Sequence, residues 1–214
     1  MISLSLRKVG HKYGHRAIFQ DVESTVTSGD VLAITGANGS GKSTLLKIIA
    51  GILQPSEGEV RLTISGQIIP REYRPLCIGL VAPYVNLYED LTLYENLVFI
   101  AKARSMKMDP TKIETILSTV ELSGHTHSLI RTFSTGMEQR ARFVAALFHE
   151  PMILLLDEPT IGLDAKGREI VKALIDHAQQ IGHLIVIASN LPKEIEMATK
   201  SLSIEKYSSS SSKI

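Results

Sequence analysis

The sequence predicts an α/β fold with a mostly parallel sheet, and three observations carry that expectation. Short apolar runs at residues 31–34, 153–156 and 184–188 have the length of strands buried on both faces. Stretches with apolar residues at helical spacing alternate with them, over residues 43–50, 135–148 and 166–180. Strands that alternate with helices in this way join into a parallel sheet through crossover connections. Composition agrees: 44% hydrophobic and 21% charged residues in a chain of 214 supply a sizeable core, which excludes disorder as the main state.

Taken in order, residues 2–34 alternate apolar and polar side chains, with turn signals at Tyr13-Gly14 and Ser28-Gly29-Asp30, and predict short strands ending in the buried run at 31–34. A glycine-rich turn follows. Leu45, Leu46, Ile48 and Ile49 then fall at helical spacing, and Gly51 is a helix stop. Residues 58–69 alternate again and predict a hairpin, and residues 76–81 form another short apolar run. Over residues 91–120 the period is helical, with Asp109-Pro110 as cap and start of the second stretch. After a polar loop come the helix at 135–148, the strand at 153–156, the helix at 166–180 and the strand at 184–188. Residues 208–214 are a serine-rich tail of low complexity, expected to be disordered.

Several classes of function are excluded. Lys and Arg number 23 against 22 Asp and Glu, a net charge of +1, so no basic excess points to nucleic acid. The single cysteine, Cys77, can form no internal disulfide and sits in an apolar run, where a core position is expected. The N-terminus has no apolar stretch long enough for a signal peptide, and the apolar runs are far shorter than a membrane span. A cytoplasmic protein is expected, with any membrane role exercised through a partner. His125-Thr126-His127 lies in a polar loop with no cysteine or acidic cluster beside it and is expected to be solvated rather than metal-binding.

Residues 36–44, GANGSGKST, fit the pattern G-x-x-x-x-G-K-[ST] in full, between a buried strand and a helix. Gly36, Gly39 and Gly41 allow the backbone of Ala37, Asn38 and Ser40 to curl, so that N–H groups and the helix N-terminus point at phosphate oxygens. Lys42 reaches the β and γ phosphates, Ser43 offers a hydroxyl to Mg²⁺, and Thr44 can donate to a phosphate nearer the ribose. The alternative, a flexible glycine turn with a solvated lysine, does not explain the strand and helix around the motif. Nucleotide binding, with ATP and Mg²⁺ as ligands, follows. The buried run at 153–156 leads directly into Asp157-Glu158-Pro159, placing carboxylates at the C-terminal end of a strand, where ligands of such sheets gather. Asp157 is the candidate Mg²⁺ ligand, and Glu158 the residue that orients or deprotonates an attacking water.

These two sites resemble those of the ATP-binding subunits of ABC transporters, a likeness that spans about residues 2–205. Phe133-Ser134-Thr135-Gly136-Met137-Glu138-Gln139-Arg140 is similar to the family's signature loop, usually LSGGQ and then polar residues with Arg. Ile161-Gly162-Leu163-Asp164 resembles its dimer loop, Tyr13 stands where the family has an aromatic that stacks on adenine, and residues 86–97 resemble the opening of its helical subdomain. The resemblance implies a P-loop NTPase core with an N-terminal antiparallel β portion and an inserted helical subdomain at about residues 84–140, all within one domain over residues 1–207. It also implies a nucleotide sandwich between two ATP-binding subunits, as homodimer or heterodimer. Ser134, Thr135, Gly136 and Met137 of one subunit would then close on the ATP of the other, and Asp164 would link the two sites. A helix cap at Ser134 is the local alternative, and the two roles are compatible.

Two positions depart from the family. Its Q-loop glutamine falls on Pro83, which has neither a side-chain acceptor nor an N–H, so Tyr84 or Asn86 must substitute, or the metal relies on Ser43, Asp157 and water. Its switch histidine falls on Asn190, which offers only a neutral hydrogen bond, and slower hydrolysis is expected. Met137 after the signature glycine resembles the exporter-like branch that includes ABC-2 type systems and the haem exporter of cytochrome c maturation. The resemblance implies an ATPase, with Lys42, Glu158 and Asn190 at the reaction centre, that powers a transmembrane permease from the inner face of the membrane. Tyr84, Tyr88 and Tyr94 are either docking anchors for that permease or core residues. Two other outcomes stay open: a regulatory ATPase acting on an envelope partner, and a degenerate ATP-binding partner in a heterodimer.

Overall fold

A computed structural model describes residues 1–208. Of the serine-rich tail, residues 209–214 lie outside the described residues. β1 (Ile2–Tyr13) and β2 (Arg16–Thr27) make a long antiparallel hairpin in place of the short strands expected. Three register shifts explain the difference, the last of them between the pairs His11↔Phe19 and Lys12↔Ala17. Lys8 (φ 47°) is an extra residue on β1 between the pairs Leu6↔Ser24 and Val9↔Val22, and Asp21 (φ 54°) is one on β2 between Val9↔Val22 and His11↔Phe19. Each breaks the alternation in sequence without ending the strand.

β3 (Val31–Thr35) feeds the glycine loop and α1 (Lys42–Ile49), which stops as expected, with the Gly51 N–H donating to the Ile48 carbonyl. β4 (Glu57–Ile64) returns alongside β1 and turns at Ser65-Gly66 into β5 (Gln67–Ile69). A single turn, α2 (Arg74–Cys77), precedes β6 (Ile78–Val81) and leaves Cys77 half-buried at its end rather than in the core. α3 (Leu93–Ala103) opens with a capping box that the sequence reading missed: Thr92 accepts from the Glu95 N–H, and the Glu95 carboxylate accepts from the Thr92 N–H. α4 (Pro110–Thr119) is capped by Asp109, as expected.

α5 (Thr135–Leu147), β7 (Ile153–Asp157), α6 (Ala165–Gln180) and β8 (Leu184–Ala188) follow the predicted order. α7 (Pro192–Ile195) and β9 (Lys200–Ser203) were not foreseen; β9 has only one fully buried residue, Leu202, and owes its conformation to pairing with β3.

Two sheets result. One is antiparallel, in the order β2-β1-β4-β5, and the other is parallel, in the order β6-β7-β8-β3-β9. Successive side chains of β7 point to opposite faces, which explains its continuous apolar run. Ile153 and Leu155 join a core shared with α1 and the antiparallel sheet, while Leu154 and Leu156 join another with Phe143 of α5 and Val171 and Ile175 of α6. A third cluster, including Leu93, Leu97, Ile113, Leu117 and Val144, packs α3 and α4 onto the outer face of α5. The C-terminal ends of β3, β7 and β8 therefore meet along one edge, above α1.

Candidate functional site

That edge carries the glycine loop. Gly41 has φ 105°, and a Cβ there would lie 2.6 Å from Ile18 Cγ2, so only glycine lets β2 pass beneath the start of α1. Lys42 is buried, and its ammonium donates to the carbonyls of Gly36 (2.7 Å) and Ala37 (3.1 Å), two of its three donors, which holds the loop curled. The Ser40 hydroxyl is buried with no partner among the described residues, and it packs against Gly36, where a Cβ would lie 2.7 Å from it. One loop amide is already taken: the Ala37 N–H donates to Glu205 Oε1 at 2.8 Å, so Ala37 belongs to the loop by position while its amide is held by the C-terminal segment.

Asp157 ends β7 with 3% of its surface exposed. Burial pushes its carboxyl above the ordinary value and Glu158 beside it adds to this, whereas a hydrogen bond from Ser43 and the charges of Lys42 and Lys47 pull the other way. A buried carboxylate paired with a serine hydroxyl is a hard oxygen donor set short of positive charge, and it fits Mg²⁺. Glu158 follows in left-handed backbone (φ 49°), half-buried, its N–H donating to the Ala188 carbonyl at 2.9 Å.

A cavity of about 290 Å³ brings Glu158 together with Asn38, Gly39, Gly41, Lys42, Ser43, Thr44, Tyr13 and Ile18. Tyr13 is 53% exposed and presents a free ring at the open side, steadied edge-on by His11 with centroids 4.7 Å apart. Ile18 had no signal in the sequence, because β2 reaches the cavity only through the hairpin. Asn190 stands at the end of β8, its amide donating to Asn38 Oδ1 at 3.1 Å.

Pro83 itself does not line the cavity, and its neighbours Tyr84 and Asn86 lie in different surroundings. Tyr84 lies under the Lys47 ammonium, 4.0 Å from the ring centroid, and burial together with the Asp157 charge pushes its phenol well up, so it stands on the Asp157 side. Asn86 instead lines a separate groove with Tyr88, Phe99 and Arg142. Tyr88 and Tyr94 are surface residues, packed on Phe99 and His127 respectively. His125 and His127 pack on different aromatics, Phe133 and Tyr94.

Ser134, Thr135, Gly136 and Met137 do not line the cavity. Ser134 caps α5, accepting from the Met137 N–H at 3.2 Å, and Asp164 caps α6, accepting from the Gly167 N–H at 2.7 Å. The two loops touch: a Cβ on Gly162 would sit 2.8 Å from Thr135 Cγ2. The N-terminal ends of α5 and α6 thus lie side by side on one surface. Among the described residues no helix is long and apolar enough to cross a membrane.

Comparison with known proteins places this geometry. The chain is 34% identical over 205 residues to an uncharacterised ABC transporter ATP-binding protein of Bacillus subtilis (strain 168), covering 94% of this chain and 66% of that protein. It is 30% identical to the lantibiotic transport ATP-binding protein SrtF of Streptococcus pyogenes, over 90% of this chain and 82% of that one. The chain spans 63–66% of the length of the Bacillus subtilis relatives it matches. A solved structure described as the ATP binding subunit of an ABC transporter superposes with a TM-score of 0.82 at 26% identity, over 94% of this chain and 86% of that one. The ABC transporter family model matches residues 19–161, a stretch that runs from β2 through the glycine loop and the signature to the carboxylate pair, and the chain belongs to that family.

Proposed function

We propose that this chain binds and hydrolyses ATP as the motor subunit of a membrane transporter. The observation that carries the reading is the single cavity in which Glu158 faces Lys42 and Ser43, with Tyr13 at its mouth. Tyr13 offers a stacking face for adenine, and the amides of Gly39, Gly41, Lys42, Ser43 and Thr44 at the cavity receive the phosphates. Ser43 and Asp157 would hold Mg²⁺, whose charge neutralises phosphate oxygens. Glu158 orients a water and takes its proton, an effect typically worth about 10²- to 10⁴-fold. Lys42 stabilises charge on the transferred phosphoryl group.

The signature surface at Ser134 and Gly136, outside the lining of this chain's own cavity, supports closure on the ATP of a second subunit, with Asp164 at the junction. A groove of about 370 Å³ lined by Leu80, Val85, Leu87, Phe99 and Tyr88 supports docking of a permease, which would hold the subunit at the inner face of the membrane. The relatives named for transport favour the same assignment.

Mg²⁺-dependent ATP turnover by the purified chain tests the reading, with Glu158→Gln as control. Turnover that disappears in the variant is expected. ATP binding without turnover, in the presence of a permease as well, would replace it with the reading of an ATP-binding partner, which the capture of the Asn190 amide by Asn38 favours.

A further inference from the structure

Glu158 sits in left-handed backbone, a region disfavoured for any residue with a Cβ and one that persists only where the surroundings over-determine it. Its own amide is held by the Ala188 carbonyl, and its carbonyl accepts from the Ile161 N–H at 3.1 Å. The next two residues are held by side chains. Gln139 of α5 donates through Nε2 to the Pro159 carbonyl at 2.9 Å, and Glu194 of α7 accepts through Oε1 from the Thr160 N–H at 3.0 Å and from the Thr160 hydroxyl. Both side chains are 1% exposed.

The Glu194 arrangement is not what stability alone would select. The second oxygen of Glu194 is buried without a partner among the described residues, a cost to folding that an apolar side chain would avoid. The Gln139 amide is oriented from behind: Arg142 donates to its Oε1 at 2.9 Å and also to the Val85 carbonyl at 3.1 Å, which leaves the N–H₂ end facing Pro159.

We propose that Gln139 and Glu194 are positioning residues that hold Glu158 in its left-handed conformation and so aim its carboxylate into the nucleotide cavity. Gln139 lies five residues beyond Ser134, and Glu194 four beyond Asn190. The aim of Glu158 is thereby tied to the signature segment, which in the proposed sandwich closes on the partner's ATP, to the Asn190 segment beside Asn38 of its own loop, and through Arg142 to the groove wall at Val85. A shift of either segment reaches the reacting water without either helix touching it. This inference rests on the reading of Glu158 as the base.

The test uses Gln139→Leu, Glu194→Leu and Glu194→Gln in the full chain, the last keeping a carbonyl acceptor for Thr160. Steady-state ATP turnover and amide hydrogen exchange over residues 158–163 are measured together. Both leucine variants are expected to lower kcat about 5- to 30-fold with KM unchanged within about two-fold, and to speed exchange at 158–163 alone, while Glu194→Gln stays near wild type. Leucine variants that match wild type in both readouts overturn the proposal. So does loss of ATP binding, or faster exchange throughout the chain, which would mark a role in holding the fold. A wild-type chain without Glu158-dependent turnover would refute the ATPase reading instead, and exchange at 158–163 would then decide the positioning role by itself.

Discussion

His149 provides a pH switch in stability whose sign and size follow from its surroundings. It follows the end of α5, and its Nε2 lies 3.3 Å from the Ile78 carbonyl, a contact that requires the proton on Nε2. Nδ1 is buried with no partner among the described residues, so a second proton there would have no acceptor among them. Burial first, and the Arg104 guanidinium second, push the imidazole down from 6.5 to about 4, against a smaller opposing pull from the Ile78 carbonyl. Because the folded value lies below the unfolded one, the unfolded chain binds the proton more tightly. The stabilisation is complete above pH 6.5 and is lost as pH falls from there to about 4. A displacement of that size corresponds to about 3 kcal/mol, and solvent screening of a half-buried ring reduces it to about 2 kcal/mol. Urea unfolding of wild type and His149→Gln across pH 4 to 8 isolates the contribution from that of the carboxylates. The difference between the two proteins should stay flat above pH 7 and shrink by about 2 kcal/mol on the acid side. A difference independent of pH, or one that grows as pH falls, would refute this account of His149.

Two further outcomes are expected at the nucleotide site. Gly41→Ala adds a Cβ 2.6 Å from Ile18 Cγ2 and 3.0 Å from Phe19 Cδ1, in backbone of φ 105°; urea unfolding should show a loss of about 3 kcal/mol, and calorimetry a loss of ATP binding. Asp157→Asn removes a carboxylate whose ionised form burial disfavours, so the nucleotide-free protein should melt higher at pH 8 than wild type, while the Mg²⁺-dependent part of ATP affinity falls by more than about 100-fold. A variant that melts lower, or that keeps its response to Mg²⁺, would contradict the assignment of Asp157.

Much of the frame was legible because local rules act over a few residues. The stop of α1 at Gly51, the start of α4 at Asp109-Pro110 and the doubly buried β7 each follow from spacing or backbone chemistry within about ten positions. The capping box at Thr92 and Glu95 was equally local and was overlooked. β1 and β2 were read as too short, because bulges at Lys8 and Asp21 break the alternation while the hairpin continues. β9 was missed because its strand character comes from β3, more than 160 residues earlier in the chain.

The sequence by itself determined the chemistry of the site: the glycine loop with Lys42 and Ser43 and the carboxylate pair at the end of a buried strand are contiguous motifs, and their function lies in backbone that they shape themselves. Only the tertiary structure decided how that chemistry is aimed. The left-handed turn of Glu158, the grip of Gln139 on Pro159 and of Glu194 on Thr160, the meeting of Asn190 with Asn38 and the diversion of the Ala37 amide to Glu205 join residues 20 to 168 positions apart. Contacts at such separations carry no local signature, because each depends on which strand ends the parallel sheet brings side by side.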